Sequence, residues 1–443
     1  MISLGCAKNL ADSEAMLGQV LAAYPGAVVC SDPADADVVV VNTCGFLAAA
    51  RNEADAVLDS VEALQRTGKV SRVVAVGCYP QLWREQVLRR HPGLHSVLGV
   101  DALYQSAFWA SLLDETPVRQ KPSFVDESAM RGFAAPRLLS EAGSFAYLKI
   151  ADGCSQRCSY CTIPLIKGPL VSRTRDVILR EADDLVHAGV SELILVSQNT
   201  SAYGMDLAPA HRPQLAALLR DLDQISGLRV LRVLYLYPTL VTTDLVETIA
   251  ASRHIAHYVD IPLQHTDPAI LKAMRRPWAE DSAVRVVERV RRTMPDAAIR
   301  STFIVGFPGE TEEQFRRLLG DLEALRLDHA SAFAYSREPR ASSYDFAGQV
   351  HGSTKQRRLR QFMEVQQRIS VSINRDRYLG QEIDVIVDSV GQTGIHGRTL
   401  LDAPDVDNAV SARFTAKTRP VVGSICRARI ESVGPYDLSG TLV

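Results

Sequence analysis

Cys154-Ser-Gln-Arg-Cys158-Ser-Tyr-Cys161 places three thiols in one short loop, directly after the strand-like run Tyr147-Leu-Lys-Ile-Ala151. Three thiolates at this spacing can hold three irons of a 4Fe–4S cluster and leave the fourth iron open to another ligand. Structural zinc sites use a closed set of four ligands, typically two distant pairs, so the triad points to iron–sulfur chemistry. A second set is dispersed. Cys6, Cys44 and Cys78 each follow a short apolar run, two of which are Asp37-Val-Val-Val-Val-Asn42 and Val73-Val-Ala-Val-Gly77. In open α/β sheets the carboxyl ends of neighbouring strands share one edge, where ligands gather, so three strands bring these three thiols together. Cys30 and Cys426 stand outside both sets: Cys426 alternates within a strand-like segment and reads as a small buried hydrophobe, and Cys30 reads as structural.

The elements that must position these thiols follow from length and patterning. The chain has 443 residues, 47% hydrophobic and 23% charged, with 49 basic and 51 acidic residues and a net charge of −2. That is ordinary globular composition, which excludes disorder and a globally basic nucleic-acid coat. No apolar run reaches the ~18 residues of a membrane span and no signal peptide precedes the first strand-like segment, so the expected setting is the cytoplasm. The fold class is α/β in three parts. Residues 1–116 form an open α/β unit, with a helix over 48–66. Residues 117–143, with Pro117, Pro122, Gly132, Pro136 and Gly143, read as a linker. Residues 144–378 alternate strands near 145–151, 191–197, 230–236, 258–263, 299–305 and 330–335 with helices, which implies a partial parallel (β/α) barrel with its chemistry at the carboxyl strand ends. A helix over 354–378 closes this part. Residues 379–443 read as a small antiparallel β-barrel.

The triad loop resembles the cluster motif of radical S-adenosylmethionine enzymes. Ser3-Leu-Gly-Cys6-Ala-Lys-Asn, Asn42-Thr-Cys44-Gly-Phe46 and Val76-Gly-Cys78 resemble the amino-terminal domain of the methylthiotransferases within that group, and residues 379–443 resemble their TRAM module. The resemblance covers essentially the whole chain in order. It implies a 4Fe–4S cluster on Cys154, Cys158 and Cys161, and a second, sulfur-handling 4Fe–4S cluster on Cys6, Cys44 and Cys78. It also implies S-adenosylmethionine as methyl donor and as source of a 5′-deoxyadenosyl radical, the cofactors supplying the hard chemistry. An electron donor and a sulfur source are implied as partners.

Lys149-Ile-Ala-Asp-Gly-Cys154, Leu234-Tyr-Leu-Tyr-Pro238, Asp260-Ile-Pro-Leu-Gln-His265 and Gly397-Arg-Thr-Leu-Leu-Asp-Ala-Pro-Asp405 resemble the branch that modifies the β-carbon of an aspartate in a small-subunit ribosomal protein. The alternatives are a transfer-RNA adenosine methylthiotransferase and, in another class, a non-catalytic iron–sulfur protein. Charge bears on the choice: residues 380–443 hold six basic and eight acidic groups, whereas an RNA-gripping module should be basic. The helix over 354–378 carries seven basic residues against two acidic ones, and reads as a solvated connector. Gln198, at a strand end, is a candidate cofactor contact by resemblance. Gln264 and His265 end another strand, where a satisfied hydrogen-bonding role stands beside contact with the cofactor. Gly306 and Gly309 either admit the cofactor to the backbone or serve a turn before a helix that Thr311 and Gln314 cap. Asn42 and Thr43 either orient the second cluster or close a turn.

Overall fold

Two β-branched runs without polar alternation set the amino-terminal unit. The computed structural model describes residues 1–113, 127–140, 143–207, 211–276, 282–414 and 419–443. In chain order the first unit contains β1 (Ile2–Ser3), α1 (Ala7–Ala23), β2 (Val38–Thr43), α2 (Ala48–Arg66), β3 (Arg72–Gly77), α3 (Cys78–Arg90), β4 (Ser96–Val97) and α4 (Ser106–Ala110). The four strands pair in parallel in the order β1-β2-β3-β4. Val39, Val41, Val73 and Ala75 bury one face against Leu58 and Val61 of α2. Val40, Val74 and Val76 bury the other against Met16 of α1 and Trp109 of α4. A parallel sheet covered on both faces needs strands that are apolar throughout, which is what the runs supply.

Part of the segment read as a linker, residues 117–126 and 141–142, lies outside the described residues. The described part holds α5 (Glu127–Arg131) and an extended strap. Arg137 clips that strap between the units: its guanidinium pairs with Glu14 of α1, with Glu181 at 2.8 Å, and donates to the Tyr147 carbonyl at 2.7 Å.

The central unit runs through β5 (Phe145–Lys149), the short antiparallel ladder β6 (Ala151–Asp152) and β7 (Val171–Ser172) around α6 (Ile163–Lys167), then α7 (Arg175–His187), β8 (Glu192–Val196), α8 (Leu215–Leu222), β9 (Val230–Val233), α9 (Thr243–Ala251), β10 (Tyr258–Asp260), α10 (Pro268–Ala273), α11 (Ser282–Thr293), β11 (Ala298–Val305), α12 (Glu312–Leu325), β12 (His329–Ala334) and α13 (Gly352–Tyr378). The parallel sheets β5-β8-β9 and β10-β11-β12 meet through a Leu231–Ile255 bridge and the Leu236 N–H bond to the Asp260 carbonyl at 2.9 Å, giving one curled six-stranded wall. Leu148, Leu193, Leu195, Leu231, Ile299 and Phe303 face the surrounding helices. The concave side is filled from outside the unit, by Leu10 and Ala11 of α1 and by Ile386, Leu400 and Ala403 of the carboxy-terminal unit. Of the seven basic residues of α13, three are paired within the chain at 3.0 Å or less: Arg358 with Glu310 at 3.0 Å, Arg357 with Glu312 at 2.8 Å and Arg377 with Asp328 at 2.7 Å. Among the described residues no helix is long and apolar enough to cross a membrane.

The last unit is a closed five-stranded barrel of β13 (Glu382–Val390), β14 (Gly394–Thr399), β15 (Ala409–Arg413), β16 (Ile425–Val433) and β17 (Asp437–Leu442), in the order β13-β14-β15-β17-β16. Its ladders are antiparallel except β15 with β17, which is parallel. The net charge of −2 over residues 380–443 is not a surface charge, because several of its charged groups are paired inside the fold. Arg398 reaches Glu192 of β8 and its own Asp388 at 3.0 Å, and Asp388 accepts from Ser144. Asp402 lies 3.0 Å from His329, while Asp407 takes Arg300 at 3.2 Å and the Tyr258 hydroxyl at 2.6 Å. Three of the eight acids and one of the six bases therefore fasten the barrel to the central unit, and the remainder balance at five each; of these Lys417 lies outside the described residues. The surface is neutral in sum and does not by itself discriminate between protein and RNA substrates.

Candidate cluster and cofactor site

Each dispersed thiol sits at the carboxyl end of its strand: Cys6 after β1, Cys44 next to β2, and Cys78 as the first residue of α3 after β3. They are close enough for Cys44 to feel Cys6, and for Cys78 to feel both Cys44 and Cys6. The approach needs glycine. A Cβ on Gly5, at φ +93°, would lie 2.6 Å from the Cys44 Cβ, and one on Gly77, at φ +102°, would lie 2.4 Å from Asn42 Oδ1. Asn42 and Thr43 brace the strand ends. Asn42 Nδ2 donates to the Asn9 carbonyl and Ser13 Oγ, both at 2.9 Å, and Thr43 Oγ1 donates to the Val76 carbonyl at 2.7 Å.

Burial pushes the Cys78 thiol up to about 12, does the same for Cys161, and raises Cys44 and Cys154. A buried thiol of this kind becomes a thiolate only beside positive charge, which metal ions provide. The backbone is already set for it. The amide two residues on points at the sulfur in Cys44, Cys154 and Cys161, with Ile163 N–H 3.4 Å from Cys161 Sγ. Arg276 Nη1 stands 4.0 Å from Cys158 Sγ while its Nη2 is anchored on the Pro262 carbonyl at 2.6 Å. Both donor sets fit iron–sulfur ligation, with hydrogen bonds to sulfur in place.

Sequence reasoning missed the group between the two sets. Lys149, at the end of β5, pairs with Asp12 of α1 and lies 3.3 Å from Asp152. Lys167, at the end of α6, lies 3.3 Å from Asp12 and 3.1 Å from Asp152. All four are buried. Burial opposes charge on Lys149 and Lys167, but Asp12 and Asp152 outweigh it and hold both well above the usual lysine range. Burial likewise opposes the Asp152 carboxylate, and the two lysines outweigh it and hold Asp152 far below the usual range. Lys167 also acts on Cys78, and Ile166 packs against it, so α6, which follows the Cys161 loop, touches the other thiol set. Lys149 and Asp152 stand in the quoted Lys149-Ile-Ala-Asp stretch, but nothing local announces a partner at residue 12.

Gln198 donates through Nε2 to Asp152 Oδ1 at 2.6 Å, beside the Cys154 loop, and its Oε1 is buried without a partner among the described residues. Tyr237 OH and Thr162 Oγ1 are in the same condition. Tyr237 lies within electrostatic reach of Cys154 and Cys158, and Thr162 follows Cys161. Buried polar atoms are rarely left unpaired, so this cluster of orphans around one loop fits a polar organic ligand such as S-adenosylmethionine. The other candidates face the protein. Both ring nitrogens of buried His265 are met, Nδ1 by the Asp267 N–H at 2.9 Å and Nε2 by Glu310 at 3.4 Å. Gln264, at φ +72°, bridges to Phe303. Gly306 donates its N–H to Glu310, and a Cβ there would meet Lys355 at 2.5 Å. The Gly309 N–H bonds the Gly348 carbonyl at 2.9 Å. Thr311 and Gln314 form the capping box of α12.

A curled parallel wall with a CxxxCxxC loop at its carboxyl mouth defines a radical S-adenosylmethionine enzyme. Family comparison agrees: residues 148–322 match the radical SAM superfamily, residues 1–99 match the uncharacterized protein family UPF0004, and residues 379–443 match the TRAM domain. The chain is 37% identical over 450 residues to the ribosomal protein uS12 methylthiotransferase RimO of Desulforamulus reducens, covering all of this chain and 98% of that relative. It is 37% identical to the same-named protein of Geobacter sulfurreducens, again over 100% and 98%. The chain belongs to the RimO family of radical SAM methylthiotransferases. Among solved structures, the radical S-adenosylmethionine methyltransferase TsrM from Kitasatospora setae aligns with a TM-score of 0.54 at 16% identity, over 70% of this chain and 64% of that one, a likeness of fold alone.

Proposed function

We propose that this enzyme adds a methylthio group to the β-carbon of an aspartate in small-subunit ribosomal protein uS12, in the cytoplasm. The observation that carries the mechanism is the packing of α6, which follows the Cys154–Cys161 loop, against Cys78 of α3, with a buried charge quartet beside them. Cys154, Cys158 and Cys161 would hold one 4Fe–4S cluster, and Cys6, Cys44 and Cys78 a second. Bound there, the clusters and S-adenosylmethionine supply reducing power, a hydrogen-abstracting carbon radical, sulfur and a methyl group.

The chain's own residues do the positioning. Gln198 Oε1, Tyr237 OH and Thr162 Oγ1 offer polar contacts to S-adenosylmethionine, and Arg276 places positive charge against Cys158. Lys149, Lys167, Asp12 and Asp152 tie α1, which follows Cys6, to the segments on either side of the Cys154–Cys161 loop, and would hold the two cluster sites in a fixed relation for one substrate. Gly306 and Gly309, Gln264 and His265 shape the strand ends behind this site. An external electron donor and a sulfur source complete the cycle.

The test is reconstituted enzyme given uS12 and transfer RNA in parallel. Methylthiolated aspartate on uS12 with unmodified RNA is expected; the reverse would overturn the substrate assignment.

A further inference from the structure

Around Trp83 the helix α3 kinks, at φ −126° and ψ 29°. The kink turns the indole between two guanidinium groups, Arg51 at 4.7 Å and Arg340 at 5.1 Å from the ring centre. Beside it opens a cleft of about 530 Å³ lined by Gln81, Trp83, Arg84, Gln86, Arg89 and Arg340, with Glu85 its one acid. The charges differ in how they are met. Arg51 is neutralised by Glu338 at 2.9 Å, and Arg84 reaches Glu85 at 2.9 Å. Arg89 and Arg340 are exposed and have no carboxylate partner among the described residues. Trp83 Nε1 is buried with no acceptor among the described residues.

The cleft stands at the mouth of the site. Cys78 begins the helix that carries Trp83. The segment bearing Arg340 leaves the carboxyl end of β12, and its Ser343 N–H bonds the carbonyl of Ser159, inside the cluster loop, at 2.9 Å. Arg157 lies within that loop and Arg275 follows Met274, whose carbonyl accepts from the Ser159 N–H; both arginines are exposed. A polypeptide of the basic kind usual for ribosomal proteins gains nothing from such a rim. The exposed guanidinium forks of Arg89 and Arg340 are donors with no carboxylate acceptor among the described residues, and they match phosphate oxygens.

We propose that this cleft binds the phosphodiester backbone of ribosomal RNA next to the target protein, so that the preferred substrate is uS12 held in the RNA-containing small subunit. The inference rests on the uS12 reading above and adds the partner that presents it.

The test compares wild type with an Arg89→Gln/Arg340→Gln double variant, both substitutions being at exposed positions, and with Arg253→Gln, an exposed arginine in the loop before β10, as control. Binding to purified small subunits is measured from about 50 to 200 mM KCl. Each lost phosphate contact lowers the slope of log K against log salt by about 0.7–0.9, so the double variant should lose roughly 1.4–1.8 of slope, and the control none. A structured RNA duplex should displace the subunit and polyglutamate should not. Modification of isolated uS12 should proceed equally with both enzymes. An unchanged slope, displacement by polyglutamate as efficient as by RNA, or an equal loss on isolated uS12 would overturn the proposal. If wild type modified neither form of uS12, the activity reading would fail, while the binding slopes would still decide this one.

Discussion

Asp152→Asn removes one charge from the buried quartet and keeps its shape. In the folded chain Asp152 faces Lys149 at 3.3 Å and Lys167 at 3.1 Å. With an effective dielectric near 20, each pair is worth roughly 5 kcal/mol of Coulomb energy, about 10 together. Against this stand the relieved repulsion from Asp12 and the desolvation that a neutral amide no longer suffers, several kcal/mol each. The remainder matches the ~3–5 kcal/mol found when one partner of a buried pair is removed and the other is left uncompensated. For a central unit that unfolds as one cooperative block, this lowers the midpoint by roughly 6–20 °C. The assay is thermal unfolding followed by circular dichroism, with Asp152→Asn, Lys167→Gln and the double variant compared. The double variant restores charge balance and should recover part of the loss, a coupling that a double-mutant cycle isolates. An Asp152→Asn midpoint equal to wild type, or strictly additive losses, would refute the quartet as the fastening between the two thiol sets.

Other consequences follow from single groups. Burial works against a charged His329, but Asp407 and Asp402 raise it to about 9. A raised pKa contributes stability in full below the ordinary value near 6.5, and that stability is lost as pH rises through 9, about 3 kcal/mol in all. Unfolding midpoints should therefore fall between pH 6.5 and 9, and His329→Gln should flatten that fall. Wild-type reconstituted protein should carry about eight irons, and Cys44→Ala or Cys158→Ala about four each, by metal analysis. Gln198→Ala removes the unpaired acceptor beside the cluster loop; binding of S-adenosylmethionine, read by calorimetry, should weaken by roughly tenfold with iron content unchanged.

The alternation of strands and helices was legible because parallel strands buried on both faces must be continuously apolar, as in Val38–Thr43 and Arg72–Gly77. The thiols were legible for a related reason: a cysteine just after such a strand has one edge on which to lie. What sequence hides is pairing at a distance. Lys149 and Asp12 are 137 residues apart, and no local pattern joins them. Net charge carried less weight than it had in sequence for the same reason, since Asp388, Asp402 and Asp407 count as acids in sequence but are spent on Ser144, Arg398, His329, Arg300 and Tyr258 in the fold. Arg358, Arg357 and Arg377 of the basic helix are consumed in the same way. The kink at Trp83 follows Pro80 by three residues, and what it brings together, the ring between Arg51 and Arg340, joins positions far apart in sequence.

The most direct test of the whole account is tandem mass spectrometry of uS12 from cells that lack this enzyme and are complemented with wild type, Cys44→Ala or Cys158→Ala. The account predicts one aspartate bearing a methylthio group at its β-carbon with wild type, and none with either variant. A modified aspartate that survives the loss of either thiol triad would contradict it.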